Sequence, residues 1–386
     1  MPPFPSPPVI ELETHVEPSV PYYLGEGIED QLPARVAQVG CDHCFLVTSE
    51  FLRRLLGQQL VQELRHAGVP CAAVTIPESE SNKSWQTLQA LCEELVERGV
   101  SKDSLLLAFG GGLIGNVVGL AAGLIYRGIR FVEIPTTVMA QTDGVLSNKQ
   151  AINGEHGKNQ FGLYHAPVFV WADVAYPRHE PVAQIRAALA EWVKNVLISD
   201  EMAVQRCERL LQQHRTLPGE GFGDLVRAVI ESKLQILRQD PSEKSRSVIL
   251  EYGHTFGHAL EWLTRGRLLH GEAVTIGMCL AATLSRELGF CGAELVEKHE
   301  YLLGDLLRLA TRLPGDVSPH QLYRGMLFDN KRDAEGVRFL LLEAYGRFVT
   351  AAGGGLTVAA PPETVLRVLE RSAAEGRGRR PEAGVR

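Results

Sequence analysis

Two histidines four residues apart carry the first chemical signal in this sequence. In Glu251-Tyr-Gly-His-Thr-Phe-Gly-His258, a helix would place His254 and His258 on one face. Leu269-His-Gly-Glu272 follows with His270, and Ala190-Glu-Trp-Val-Lys194 lies upstream, with Glu191 one helical turn before Lys194. One carboxylate and two imidazoles, with a position left open for a hydroxyl, make the ligand set of a catalytic zinc or cobalt ion. Histidine pairs at this spacing also occur on solvated helix faces and bind nothing there. Glu191 argues against that reading, because it sits among Ala, Leu, Trp and Val, where an unpaired carboxylate is costly to bury.

A second signal is Gly110-Gly-Gly-Leu-Ile-Gly115, which falls between a predicted strand and a predicted helix. Glycines there let backbone N–H groups approach a pyrophosphate at a helix N-terminus. The acidic residue expected at the end of the next strand is absent; Glu133 lies inside that strand, so a dinucleotide would not be clamped by its ribose in the usual way. A third signal is the stretch from Pro135 to Asn159, rich in hydroxyls, amides and glycine, with Lys149 and Lys158. It reads as a long loop, either simply solvated or a cradle for a phosphate.

The elements around these residues follow from periodicity. Strands at Cys44–Thr48, Cys71–Ile76, Leu105–Phe109 and Phe131–Ile134 alternate with helices at Phe51–Ala67 and Ser84–Arg98, the pattern of a parallel α/β sheet. Beyond about residue 180 the pattern turns helical: Val182–Asp200, Gly223–Gln239, Thr255–Arg265, Glu272–Leu288 and Ala293–Leu309, with one good strand at Val337–Leu342. The predicted order is an extended or disordered N-terminus (1–19), a nucleotide-binding α/β domain (20–178), a helical metal- and substrate-binding domain (179–370) and a disordered tail (371–386), with a ligand cleft between the two domains. The 386 residues suffice for a large core without disulfides. A net charge of −7 speaks against wrapping nucleic acid, and the longest apolar run, Val117–Tyr126, is far short of the ~20 residues a bilayer requires. An odd count of seven cysteines and an N-terminus without a basic, then apolar, leader point to reduced thiols in the cytoplasm. Cys41-Asp-His-Cys44 has no second pair at zinc-ribbon distance and reads as ordinary thiols at the start of a strand.

Taken together, these segments resemble the sugar phosphate cyclases, the family of 3-dehydroquinate synthase. The resemblance rests on Gly110-Gly-Gly-Leu-Ile-Gly-Asn116, Tyr126-Arg-Gly-Ile-Arg-Phe131, Pro135-Thr-Thr137, Asp143, Lys149 and Gly157-Lys-Asn-Gln-Phe-Gly162. It continues in Ala190-Glu-Trp-Val-Lys194, Gly253-His-Thr-Phe-Gly-His258, His270-Gly-Glu272 and Asp329-Asn-Lys-Arg332, in order and spacing from about residue 20 to 360. The resemblance implies a Rossmann-like parallel-sheet domain followed by an all-helical C-terminal domain, bound NAD, a cobalt or zinc ion on Glu191, His254 and His270, and a homodimer. It implies catalytic roles for Lys149, Glu251, His258 and Lys194, and substrate contacts for Asn159, Lys233, Lys331 and, across a dimer interface, Arg127. Glu80, Lys83, Gly111, Gly112, Asn116, Thr136 and Thr137 match dinucleotide-binding positions, and Asp143 and Lys158 match positions near the nicotinamide. Ser49 stands where the family often has an Asp on the adenine ribose.

Three departures from the 3-dehydroquinate synthase pattern bear on the substrate. Glu251 replaces an Asn, Ser247 stands in place of an Arg four residues earlier (Arg246 is adjacent), and Ser147-Asn-Lys-Gln150 replaces Gly-Gly-Lys-Thr. The family's Arg pairs with a substrate carboxylate. Its loss suits a substrate without one, such as glucose 6-phosphate, and Glu251 adds an acceptor for a sugar hydroxyl. The reaction so implied is transient oxidation by NAD, loss of phosphate, return of the hydride and aldol closure to a carbocycle. Three other readings remain: 3-dehydroquinate synthase itself, a metal- and NAD-dependent polyol dehydrogenase, and a non-catalytic scaffold. The lysines at 149, 158, 194, 233 and 331 favour a phosphorylated substrate over a simple polyol, and the intact Glu191, His254 and His270 speak against a scaffold.

Overall fold

A computed structural model describes residues 10–14, 19–155, 157–238, 246–327, 336–351 and 353–378. Contacts within the chain divide it into two units, Met1–Glu180 with Gly221–Leu234, and Pro181–Glu220 with Gln235–Arg386.

The first unit is built on a seven-stranded sheet in the order β1-β2-β9-β6-β5-β3-β4. Its strands are β1 (Ile10–Thr14), β2 (Val20–Gly25), β3 (Cys44–Thr48), β4 (Cys71–Thr75), β5 (Leu105–Gly110), β6 (Arg130–Pro135) and β9 (Val170–Asp173). All pair in parallel except β1, which runs antiparallel to β2. The apolar run of β5 is continuous because both faces are covered. Leu106 and Ala108 join one core cluster, and Leu105, Leu107 and Phe109 join the other. On the second face lie α1 (Leu32–Val39) and the helical run from α2 (Glu50–Leu52) through a π-helical turn at Arg53–Gly57 into α3 (Gln58–His66). On the first face lie α4 (Trp85–Glu97) and α5 (Gly112–Leu124). This is the parallel sheet with helices on both faces that the alternation of apolar runs predicts.

The stretch read as a long loop is ordered. It forms the short α6 (Val138–Thr142) and then an antiparallel hairpin, β7 (Lys149–Gly154) with β8 (Gly157–Tyr164), in which Lys149 pairs with Tyr164. Polar residues hid the strand signal. Gln150 and Ile152 both point inward, and only Ile152 is apolar, fully buried in the cluster that α5 covers.

The second unit contains α7 (Val182–Leu197), α8 (Glu201–Gln213), α10 (His254–Thr264), α11 (His270–Glu287), α12 (Ala293–Glu300), α13 (Pro319–Met326) and α14 (Pro362–Gly378). The intervening α9 (Phe222–Leu237) belongs mostly to the first unit, so the helical region is not one uninterrupted block from residue 179. Two short antiparallel pairs accompany the helices: β10 (Arg338–Leu340) with β13 (Thr357–Ala359), and β11 (Leu342–Ala344) with β12 (Arg347–Phe348). The tail expected to be disordered from residue 371 is instead helical to Gly378. Ser372 and Ala373 are buried, the Ser372 hydroxyl accepts from Leu313 N at 3.1 Å, and Glu375 pairs with Arg312 at 2.5 Å. Residues 379–386 lie outside the described residues, as do 1–9 and 15–18 at the other end, where Ile10–Thr14 is a strand. All seven cysteines are free thiols. Among the described residues no helix is long and apolar enough to cross a membrane.

Candidate active site

Three helices of the second unit each present one side chain to a common point. Glu191 comes from the middle of α7, His254 from the first position of α10 and His270 from the first position of α11. One ligand atom from each lies within 4.8 Å of the others. Close backbone approach makes this geometry. A Cβ at Gly271 would fall 1.8 Å from the Ala187 carbonyl oxygen on α7, and one at Gly277 would fall 2.1 Å from the Gly253 carbonyl oxygen. The helices therefore pack at a distance that only glycine permits.

Glu191 Oε1 faces His270 Nε2 at 3.4 Å and His254 Nε2 at 3.8 Å, and it is buried without a hydrogen-bond partner. The other carboxylate oxygen accepts from Lys194, itself buried one turn on. An orphaned carboxylate oxygen facing two imidazole nitrogens suits a divalent ion, and the donor set is that of a catalytic site. Burial works against the Glu191 charge, but Lys194 and the two imidazoles outweigh it and hold the carboxyl well below the usual range. Burial, helped by Lys194, drives His254 down to about 3, against the pull of Glu191 and Glu251. Burial alone would lower His270 too, but two carboxylates, Glu191 and Glu261, push it up to about 10.

Glu261 is a residue the spacing argument missed. It stands seven residues after His254 on α10, so the i, i+4, i+7 series His254, His258, Glu261 marks one helix face and could have revealed it. His258 is exposed, with its ring centroid 5.1 Å from that of His254. Glu251 stands just ahead of α10, near enough for its charge to act on His254.

The first unit holds the glycine turn. β5 ends at Gly110, Gly111 is the N-cap of α5 with no side chain capping it, and Gly112 opens the helix. A Cβ at Gly110 would meet Ile114 at 2.5 Å, so the turn admits no side chain there, and the first amides of α5 are left for an anion. Thr136 N donates to Gly110 O at 3.0 Å, while Thr137 caps α6 through its hydroxyl, which accepts from Ala140 N at 3.2 Å. Asn116 donates to Gly112 O at 2.8 Å and accepts from Ala151 N at 3.0 Å, tying α5 to the hairpin. Ser49 is buried and its hydroxyl caps α2, accepting from Leu52 N at 3.2 Å.

The hairpin gathers several predicted residues at one edge of the first unit. Lys83 donates to Asn159 Oδ1 at 2.5 Å, and Lys158 lies 4.0 Å from Glu80. Burial lowers Lys83 to about 8. Asn153, which nothing in the sequence singled out, organises this cluster. Its amide donates to Glu80 Oε1 at 2.8 Å, its Oδ1 accepts from Asn159 N at 3.0 Å, and its own N–H bonds to Lys83 O at 2.8 Å. Lys149 begins β7, half-buried. Asp143 and Lys233, far apart in sequence, form an ion pair within this unit. Arg127 is exposed on a turn where it and Tyr126 both have positive φ. Lys331 lies outside the described residues, as does the side chain of Ser247.

Comparison with known proteins identifies the family. Residues 73–187 match the family described as 3-dehydroquinate synthase N-terminal, and residues 188–332 match 3-dehydroquinate synthase C-terminal. The chain is 36% identical over 358 residues to a 2-deoxy-scyllo-inosose synthase of Streptomyces kanamyceticus, covering 92% of this chain and 91% of that one. It is 34% identical over 359 residues to a 3-dehydroquinate synthase of Bordetella pertussis, covering 92% and 96%. Among solved structures it superposes with TM-score 0.85 and 27% identity on a 2-deoxy-scyllo-inosose synthase complexed with carbaglucose-6-phosphate, NAD+ and Co2+, over 95% of this chain and 100% of that one. The chain belongs to the 3-dehydroquinate synthase family, the carbocycle-forming sugar phosphate cyclases, which are lyases.

Proposed function

We propose that this enzyme converts D-glucose 6-phosphate to 2-deoxy-scyllo-inosose and phosphate. The observation that carries the reading is Glu251. A carboxylate stands beside the Glu191, His254 and His270 cluster where the 3-dehydroquinate synthase pattern has Asn, and the Arg of that pattern is replaced by Ser247. A sugar hydroxyl suits this acceptor, and no substrate carboxylate is left to need the Arg. Support comes from relatives named 2-deoxy-scyllo-inosose synthase and from the neighbour holding a carbocyclic analogue of glucose 6-phosphate.

Glu191, His254 and His270 would hold a divalent cobalt or zinc ion, and the α5 N-terminus with Gly111, Gly112, Thr136 and Thr137 would hold NAD; the ion lowers the pKa of a substrate hydroxyl, and NAD supplies transient hydride acceptance. The protein's own part is binding and orientation. Lys149 and Lys331 would offset the charge of the phosphate that leaves, and Asn159 and His258 would hydrogen-bond to it, which favours elimination at the neighbouring carbon. Lys194 and Lys233, each held against a carboxylate, present ammonium groups to the ring hydroxyls. Asp143 and Lys158 order the nicotinamide end. Glu80, Lys83 and Asn116 shape the dinucleotide site, as Ser49 does indirectly by capping α2. Arg127 would reach the phosphate of a second copy in a homodimer, and the odd count of seven cysteines suits a cytoplasmic enzyme. The product places the enzyme at the start of 2-deoxystreptamine and aminoglycoside antibiotic synthesis.

The test is to incubate the protein with glucose 6-phosphate, catalytic NAD+ and Co2+. Phosphate released in many-fold excess over NAD+, without lasting NADH, is the expected result. Phosphate only from the 3-dehydroquinate synthase substrate would transfer the enzyme to that activity. NADH accumulating from an unphosphorylated polyol would make it a dehydrogenase.

A further inference from the structure

His270 is gripped from two sides. Its Nε2 faces Glu191 Oε1 at 3.4 Å, and its Nδ1 donates to Glu261 Oε2 at 2.9 Å. The Glu261 side chain is only 8% exposed, and Ala259 and Leu260 beside it on α10 are buried. A carboxylate so deep in a helical core is retained only with a charged or donating partner, and His270 is one.

We propose that Glu261 is a positioning residue of the metal centre: its carboxylate takes the Nδ1–H of His270 and so fixes the tautomer and ring plane that turn Nε2 toward a divalent ion. An imidazole has two nitrogens, and only the one without a proton can give its lone pair to an ion. A carboxylate on the far nitrogen settles which one that is and makes the near nitrogen a better donor. His254 is held in the same sense by a neutral group. Its Nδ1 donates to the Tyr252 carbonyl at 3.2 Å, and the Tyr252 hydroxyl is bonded to His299 Nε2 at 3.0 Å. Both imidazoles therefore present Nε2 to Glu191, one backed by a charge and the other by a backbone carbonyl. Of the two imidazoles, it is His270 that a substitution of Glu261 reaches through this hydrogen bond. The inference rests on the metal reading of the cluster.

The test uses the full chain, stripped with a chelator and titrated with Co2+ alone, with affinity read by calorimetry and coordination by visible absorption. Wild type should bind one equivalent and Glu191→Gln should lose it. Glu261→Ala should bind 10- to 100-fold more weakly, with a shifted absorption band. Glu261→Gln keeps an acceptor without the charge and should fall between. Wild-type affinity and spectrum in both Glu261 variants, with Glu191→Gln inactive in binding, would overturn this inference and leave the metal site standing. A wild type that takes up no Co2+, or a Glu191→Gln variant that binds as well, would overturn both readings. Should Glu261→Ala fail to fold by circular dichroism, the near-isosteric Glu261→Gln decides.

Discussion

Gln150 Nε2 donates to Glu133 Oε1 across 3.2 Å, and each side chain keeps one buried oxygen with no hydrogen-bond partner. Glu133 lies on β6 beneath the glycine turn, and Gln150 stands where the 3-dehydroquinate synthase pattern has Thr. Burial raises the Glu133 carboxyl from 4.5 to about 7, and the Gln150 bond offsets only part of that rise.

The raised value sets a direction for stability. Between pH 4.5 and about 7 the folded chain keeps a proton on Glu133 that the unfolded chain has lost. Stability from this group is therefore greatest below that window and falls as pH rises through it, by about 3 kcal/mol in all. Glu133→Gln removes the charge and offers an N–H donor to its neighbour. The variant should melt higher than wild type at pH 8, with the difference shrinking at pH 5. Calorimetric melts at the two pH values check this, and a constant difference would show that Glu133 is already ionised.

Glu251→Asn restores the 3-dehydroquinate synthase residue beside His254. Losing a charged acceptor for a sugar hydroxyl should lower kcat/KM for glucose 6-phosphate by roughly 10- to 100-fold. Phosphate-release kinetics are the measurement. Unchanged values would remove the main ground for the proposed substrate.

Gly271→Ala puts a methyl where the Ala187 carbonyl oxygen lies. The clash can be relieved only by moving α11 away from α7. The expected cost is at least ~1–3 kcal/mol of stability, together with weaker Co2+ binding, because His270 moves with the helix. Denaturant unfolding and metal titration should change together, whereas a stability loss alone would separate helix spacing from the cluster.

Asn153→Ala breaks the bonds that join Glu80 to Asn159. These groups sit at the proposed dinucleotide edge, so the KM for NAD+ should rise about tenfold while kcat changes little. An equal fall in kcat with unchanged KM would mean that the hairpin positions the reacting atoms instead.

The parts of this protein that were legible in sequence are those with strong periodicity. The run Leu105–Phe109 and the glycines after it specify a strand, a turn and a helix by local chemistry alone, and they form as expected. His254 and His270 stood out because helix starts and short motifs mark them, and Glu191 because its apolar neighbours made its charge anomalous. The hairpin β7–β8 was obscured by Lys, Gln, Asn and Gly, residues that say loop when read singly and strand only once Ile152 has a core to enter. The helical end of α14 was hidden for a related reason. Ser372 and Glu375 look like tail residues until Leu313 and Arg312, some sixty positions earlier, supply their partners. Asn153 is invisible in sequence because it acts through tertiary hydrogen bonds that no motif spacing reports, whereas Glu261 is signalled only by its i+7 spacing from His254 on α10.

The three residues of the cluster are borne by α7, α10 and α11, all of them in one unit. An ion held there would tie together stretches of chain that are distant in sequence, and the unfolded polypeptide has no comparable site for it. By mass action, each tenfold rise in free ion above its dissociation constant would then add about 1.4 kcal/mol to the folded form. Ion supply, and not only substrate, would set how long this half of the enzyme survives in a cell.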